Sequence, residues 1–143
     1  MNTRTFALVW GILFLMITAT GLIPGLWHPA PAHYPHLAVD SMYGDAAGIF
    51  PVNILHNLVH LVFGIWGVVA YRRWDSARTY AKAVAIAYGL FVVMGLVPGM
   101  DTTFGLVPLF GNDIWLHLIL AAPAVYFGFM RNDAGERRRA EDA

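Results

Sequence analysis

Apolar and polar residues along this chain fall into long blocks. Four stretches, residues 5–24, 51–71, 83–100 and 114–130, each of 17 to 21 residues, contain no Asp, Glu, Lys or Arg. A helix rises ~1.5 Å per residue and the hydrocarbon layer of a bilayer is ~30 Å thick, so each stretch is long enough to span it or nearly so. Within the second block, and from one residue before the fourth, a further pattern appears. Asn53, His56, Asn57, His60, Gly64 and Gly67 recur every three or four residues, as do Asp113, His117, Ala121, Ala124 and Gly128. That spacing puts each set on one helix face. Lipid offers an imidazole or an amide no partner, so both faces are expected to turn toward protein. The pattern predicts an all-α integral membrane protein, a four-transmembrane-helix bundle over residues 1–131 followed by a polar cytoplasmic tail, 132–143.

Composition agrees. Hydrophobic residues make up 58% and charged residues 13% of the 143-residue chain, against about 25% charged in a soluble domain. Zero net charge gives no electrostatic footprint for nucleic acid. With no cysteine, disulfides, thiolate metal sites and cysteine nucleophiles are excluded. The first apolar block also has the outline of a signal peptide, but its length and its GLIPGL ending favour a retained helix.

Charge sets the expected orientation. All nine basic residues fall on one predicted side: Arg4, then Arg72, Arg73, Arg78 and Lys82 between the second and third spans, then Arg131, Arg137, Arg138 and Arg139 after the fourth. Basic residues stay cytoplasmic during insertion. Both termini are therefore expected on the cytoplasmic side. The connection from about 25 to 50 and the shorter one from about 101 to 112 are expected outside.

The chain also repeats. GLIPGL at 21–26 matches GLVPGM at 95–100, and GIFPV at 48–52 matches GLVPL at 105–109. His60 follows Pro51, and His117 follows Pro108, at the same interval. Two tandem helix-loop-helix repeats follow, related by an axis along the membrane normal. His60 then corresponds to His117 and His56 to Asp113.

These four residues are the candidate site. His56, His60, Asp113 and His117 offer donors suited to a metal ion. His60 and His117, facing each other across the bundle, also suit axial haem ligation. A structural polar core without ligand, in an accessory subunit of a membrane complex, and a small proton or ion path are the competing readings. The first outer connection adds His28, His33, His36, Asp40 and Asp45 at no standard zinc spacing, with Pro29, Pro31 and Pro35 disfavouring helix there. It reads as a lid over the bundle mouth. No nucleophile motif, phosphate loop or dinucleotide fingerprint is present, so the chain leans away from an enzyme. Expected partners are the lipid bilayer and a membrane-protein partner or a second copy, not nucleic acid.

The GLIPGL turn, FPVNILHNLVHLVFGIWG and GLVPLFGNDIWLH together resemble an uncharacterised bacterial membrane protein family, domain of unknown function 4383. The resemblance runs from about residue 4 to 129. It implies a bacterial four-helix membrane protein, and with the cytoplasmic termini the cytoplasmic (inner) membrane of a bacterium, and brings no catalytic residue or cofactor with it.

Overall fold

The computed structural model describes residues 1–132, Gly135 and Arg138; the rest of the expected tail lies outside the described residues. Among the described residues four α-helices dominate. Helix α1 spans Thr3–Leu22, α2 Ile54–Ala70, α3 Trp74–Leu96 and α4 Asn112–Val125, the last continuing as a π-helical turn, Tyr126–Met130. Three are long and apolar enough to cross a membrane: α1, α3, and α4 taken with its π turn. Helix α2 is apolar but shorter, at 17 residues.

Local chemistry explains where the helices begin. Asn2 caps α1, its side-chain oxygen accepting from the Thr5 amide at 2.7 Å. Asn53 caps α2 in the same way, accepting from the His56 amide at 3.0 Å. Such a cap satisfies an amide that the first turn leaves unpaired. Because Asn53 is the cap, Pro51 and Val52 lie outside the helix in an extended strand, and α2 starts three residues later than the apolar block does. Helix α3 starts nine residues before its apolar block, directly after the short 71–73 connection. Arg78 and Lys82, expected in a connection, therefore sit on the first turns of α3. Arg78 lies over the Trp74 ring and Lys82 over the Phe129 ring. Long basic stems reach out from a helix end without interrupting it. In α4, Pro123 withholds one backbone donor and the helix widens into the π turn soon after. The Arg78 Nε donates to the Gly128 carbonyl in that turn at 3.2 Å.

The all-α expectation needs one correction. The first long connection holds a three-stranded antiparallel sheet in the order β1 (Trp27–Pro29), β2 (Gly44–Ala46), β3 (Phe50–Val52). Trp27 pairs with Ala46, and Ala46 with Phe50. Pro29 and Pro51 sit in the two edge strands, where a missing ladder donor is tolerated, and the central strand has none. The turn from β2 to β3 runs through Ala47 and Gly48, both at positive φ. The 29–35 prolines indeed exclude helix there. The connection is tied to the second one: Gly105 O accepts from the Ala38 amide at 2.8 Å, and the Asn53 side chain donates to Val39 O and Leu106 O at 2.8 and 2.7 Å. Tyr34 donates to Asp45 at 2.8 Å. Burial first, then that hydrogen bond, pushes the Tyr34 phenol up to about 12.

Packing is closest within two helix pairs, α1 with α2 and α3 with α4, while α1 and α3 meet across the middle. Small residues make the first pair possible. A Cβ on Gly67 would lie 2.7 Å from both the Ala7 oxygen and the Gly11 Cα, so only glycine allows this backbone approach. Phe6, Phe14, Tyr80, Val84 and Tyr88 fill the centre and are fully buried. The outer surface is the reverse of a soluble protein's. Ile86, Leu90, Val93 and Ile119 are all more than half exposed, while five polar or ionisable side chains of α2 and α4 are at most 2% exposed.

Candidate functional site

Those five side chains are His56, Asn57, His60, Asp113 and His117. Helix α2 supplies the first three from successive turns of one face; α4 supplies the other two, four residues apart. The inward-facing stripes expected from spacing are thus where the sequence put them. Asn57 donates to the Gly21 carbonyl on α1 at 3.3 Å, so it braces the helix pair. The other four converge.

His56, His60 and His117 each present a ring nitrogen, and these three atoms lie within 4.8 Å of one another. Ring centroids are 4.5 Å apart for His56 and His60, 5.5 Å for His56 and His117, and 6.4 Å for His60 and His117. Asp113 stands beside this triad: its Oδ2 is 3.3 Å from His117 Nδ1 and 3.9 Å from His56 Nε2. None of the ring nitrogens and neither carboxylate oxygen makes a well-formed hydrogen bond, though His56 lies against the Pro51 carbonyl. Buried polar atoms are paired in the great majority of cases, so a cluster of unpaired ones is unusual. No Lys or Arg side chain is ion-paired with Asp113 among the described residues.

Aromatic rings wall the cluster. Phe14 stacks on His60 at 5.7 Å, Tyr88 meets His117 edge-on at 5.0 Å, and Phe91 lies 5.4 Å from His117. Tyr88 also lies 6.2 Å from His60, and its buried hydroxyl has no hydrogen-bond partner. Neither Phe14 nor Tyr88 was singled out by spacing, because each sits in a block that is otherwise uniformly apolar. A signal was there: counting back seven residues from the first glycine of GLIPGL and of GLVPGM reaches Phe14 and Tyr88. The histidines of the outer connection behave differently. Among the described residues His28, His33 and His36 join no metal-sized group, and Asp45 is taken up by Tyr34.

An apolar-surfaced bundle around a buried imidazole and carboxylate cluster is the build of a helical membrane protein. The chain belongs to the family described as Domain of unknown function (DUF4383), whose profile matches residues 4–130. Searches of curated proteins and of solved structures found no match.

Proposed function

We propose that this protein holds a divalent metal ion inside the membrane, with His56, His60 and His117 as its three ligands. The observation that carries the reading is the gathering of three fully buried imidazoles, none with a well-formed hydrogen bond, beside a buried carboxylate 3.3 Å from one of them. Imidazole suits zinc and the later first-row metals. Metal–nitrogen bonds of ~2.1 Å in a tetrahedral centre put donors roughly 3.4 Å apart. Small rotations of side chains already within 4.8 Å bring them there. Asp113 fits better behind the triad than in it. A carboxylate accepting from His117 Nδ1 would set the tautomer and aim Nε2 at the ion. Its negative charge would also offset the cation in a medium that tolerates neither alone. Three protein ligands leave a fourth position open, as in zinc sites that act on a bound molecule. A porphyrin has less support, since Phe14, Tyr88 and Phe91 occupy the flanks where its plane would lie.

The finer architecture belongs to the same proposal. Helix α2 spans with the other three: 17 residues reach ~26 Å, and its Leu58, Val62, Ile65 and Val69 are exposed as lipid-facing residues should be. The two halves are tandem repeats. Moving α1 by the interval between GLIPGL and GLVPGM carries its buried Thr3, Phe6, Ala7, Gly11 and Phe14 onto the buried Ala77, Tyr80, Ala81, Ala85 and Tyr88 of α3. Moving α2 by the Pro51-to-Pro108 interval carries buried His56, His60, Gly64 and Gly67 onto buried Asp113, His117, Ala121 and Ala124. Orientation follows the basic residues, with both termini and the 132–143 tail cytoplasmic, in a bacterial inner membrane.

Elemental analysis of protein purified in mild detergent without chelator tests the site. We expect stoichiometric metal in the wild type, its loss in His60→Leu and His117→Leu, and its retention in His33→Ala. Wild-type protein that neither carries a metal nor takes one up on titration would leave the cluster a structural polar core.

A further inference from the structure

At the end of the bundle that carries both termini, four cations lie over aromatic rings. Arg4 is 5.6 Å from the Tyr71 centroid, Arg78 5.3 Å from Trp74, Lys82 5.7 Å from Phe129 and Arg131 5.6 Å from Phe127. Such seats keep a charged head in water while its stem covers apolar surface. Two of the four, Arg78 and Lys82, stand one turn apart on the same face of α3. With Trp74, Asp75 and Thr79 they line a pocket of about 300 Å³. The π turn after α4 orders this pocket. Its Gly128 lies so near α3 that a Cβ there would be 2.9 Å from the Lys82 amide nitrogen. The Gly128 carbonyl takes the Arg78 Nε at 3.2 Å, which fixes the guanidinium and leaves its Nη groups to bond elsewhere. Among the described residues neither Arg78 nor Lys82 is paired with a carboxylate. From 72 to 82 four basic residues stand against one acid, Asp75. Farther along the same face of α3 come Ile86, Leu90 and Val93, all exposed.

We infer that this pocket holds the phosphate of an anionic phospholipid from the leaflet at this end of the bundle. The phosphate oxygens accept from Arg78 Nη and Lys82 Nζ in charge-assisted bonds, and the Thr79 hydroxyl adds a neutral donor. Basic pockets at the ends of membrane helices suit such headgroups. The charge balance selects the head. Two cations exceed one phosphate, so a headgroup of net negative charge is matched, and one that carries its own ammonium meets repulsion. The apolar track of Ile86, Leu90 and Val93 selects the source. An acyl chain covers it when the phosphate is seated, whereas a soluble phosphate ester leaves it bare. The inference needs the membrane but not the metal, since no residue of the histidine cluster takes part.

The test titrates the full-length protein in detergent with phosphatidylglycerol, phosphatidylethanolamine or phosphatidylcholine and counts retained lipid by native mass spectrometry. Phosphatidylglycerol is expected to be held in preference to the other two. Lys82→Gln should weaken it about fivefold, the effect of one basic residue near a charged headgroup. Arg78→Gln should do at least as much; because Arg78 also braces the π turn, Lys82→Gln carries the test should that variant fail to fold. Asp75→Asn should strengthen retention. Arg72→Gln combined with Arg73→Gln removes two charges outside the pocket and should cost less than Lys82→Gln alone. Equal loss in that control would mean a diffuse charge effect and overturn the site. So would equal retention of phosphatidylcholine by the wild type, or a preference for phosphatidylethanolamine that Asp75→Asn abolishes. Displacement of the lipid by glycerol 3-phosphate would assign the pocket to a soluble anion instead. Bound metal should be the same in every variant, so failure here leaves the metal reading untouched, and a metal-free protein leaves this site standing.

Discussion

A buried histidine shows its role by what it loses when replaced. If His60 and His117 are ligands, leucine at either position removes the metal, whereas a structural histidine would cost stability alone. Asp113→Asn keeps the size and removes the charge. With the carboxylate behind the triad, we expect metal affinity to fall about 10- to 100-fold, the usual cost of losing an outer partner; complete loss would put Asp113 among the ligands. Acidification should release the ion, because each imidazole must be neutral to donate its lone pair. Tyr34 makes a separate prediction at the outer connection. Its phenol is raised from 10.0 to about 12, so the folded protein holds that proton over an interval in which the unfolded chain has lost it. The associated stability is full below 10.0 and is lost as pH rises through about 12. The tyrosinate difference spectrum between wild type and Tyr34→Phe should therefore have its midpoint near 12 in folded protein. A midpoint at the ordinary phenol value would contradict the part-buried Tyr34–Asp45 bond.

Between helices, the decisive residues are the small ones. Gly67→Val places a branched side chain where a Cβ already lies 2.7 Å from backbone atoms of α1. We expect a loss of about 1–3 kcal/mol, the usual cost of overpacking, seen as a lower unfolding temperature in detergent. Gly89 is the control within α3, since a Cβ there meets nothing within 4 Å. Gly89→Ala should be neutral or add about 0.5–1 kcal/mol through helix propensity. If the two variants behaved alike, close approach of α1 and α2 would not be what Gly67 provides. The inward stripe of α2 was legible because its period is helical and its residues are polar amid apolar neighbours. The strands were not. Three-residue segments such as Gly44–Ala46 have no room for an alternating pattern, and the pairing of β1 with β2 joins residues many positions apart, such as Trp27 and Ala46.

For the molecule in its membrane, orientation can be measured directly. The chain has no native cysteine, so single cysteines at Ala32 and Asp75, both exposed, report cleanly. In intact cells an impermeant reagent should label Ala32→Cys and leave Asp75→Cys untouched until the cells are opened; labelling of both from outside would reject the proposed topology. Internal symmetry has its own test. In an experimental structure, α1 and α2 should superpose on α3 and α4 by rotation about an axis near the membrane normal, bringing His60 onto His117. An inverted relation, or none, would mean that the two matched motifs do not extend to the fold.

The order of apolar blocks and the polar period within them by themselves pointed to the four helices among the described residues, to the inward face of α2 and α4, and to His56, His60, Asp113 and His117 as the candidates on it. Those features follow from local periodicity and from the cost of turning an imidazole or carboxylate toward lipid, both of which a one-dimensional pattern carries. The family, too, was recognisable from motifs of a few contiguous residues. What the tertiary structure alone decided is relational. It set Asp113 beside the histidine triad, packed Phe14 and Tyr88 against the histidines, and folded the outer connection into a sheet. It also brought the π turn against α3, where the Gly128 carbonyl takes up Arg78. Each depends on distances between segments far apart in the chain, and such distances are fixed by how side chains pack once the helices meet.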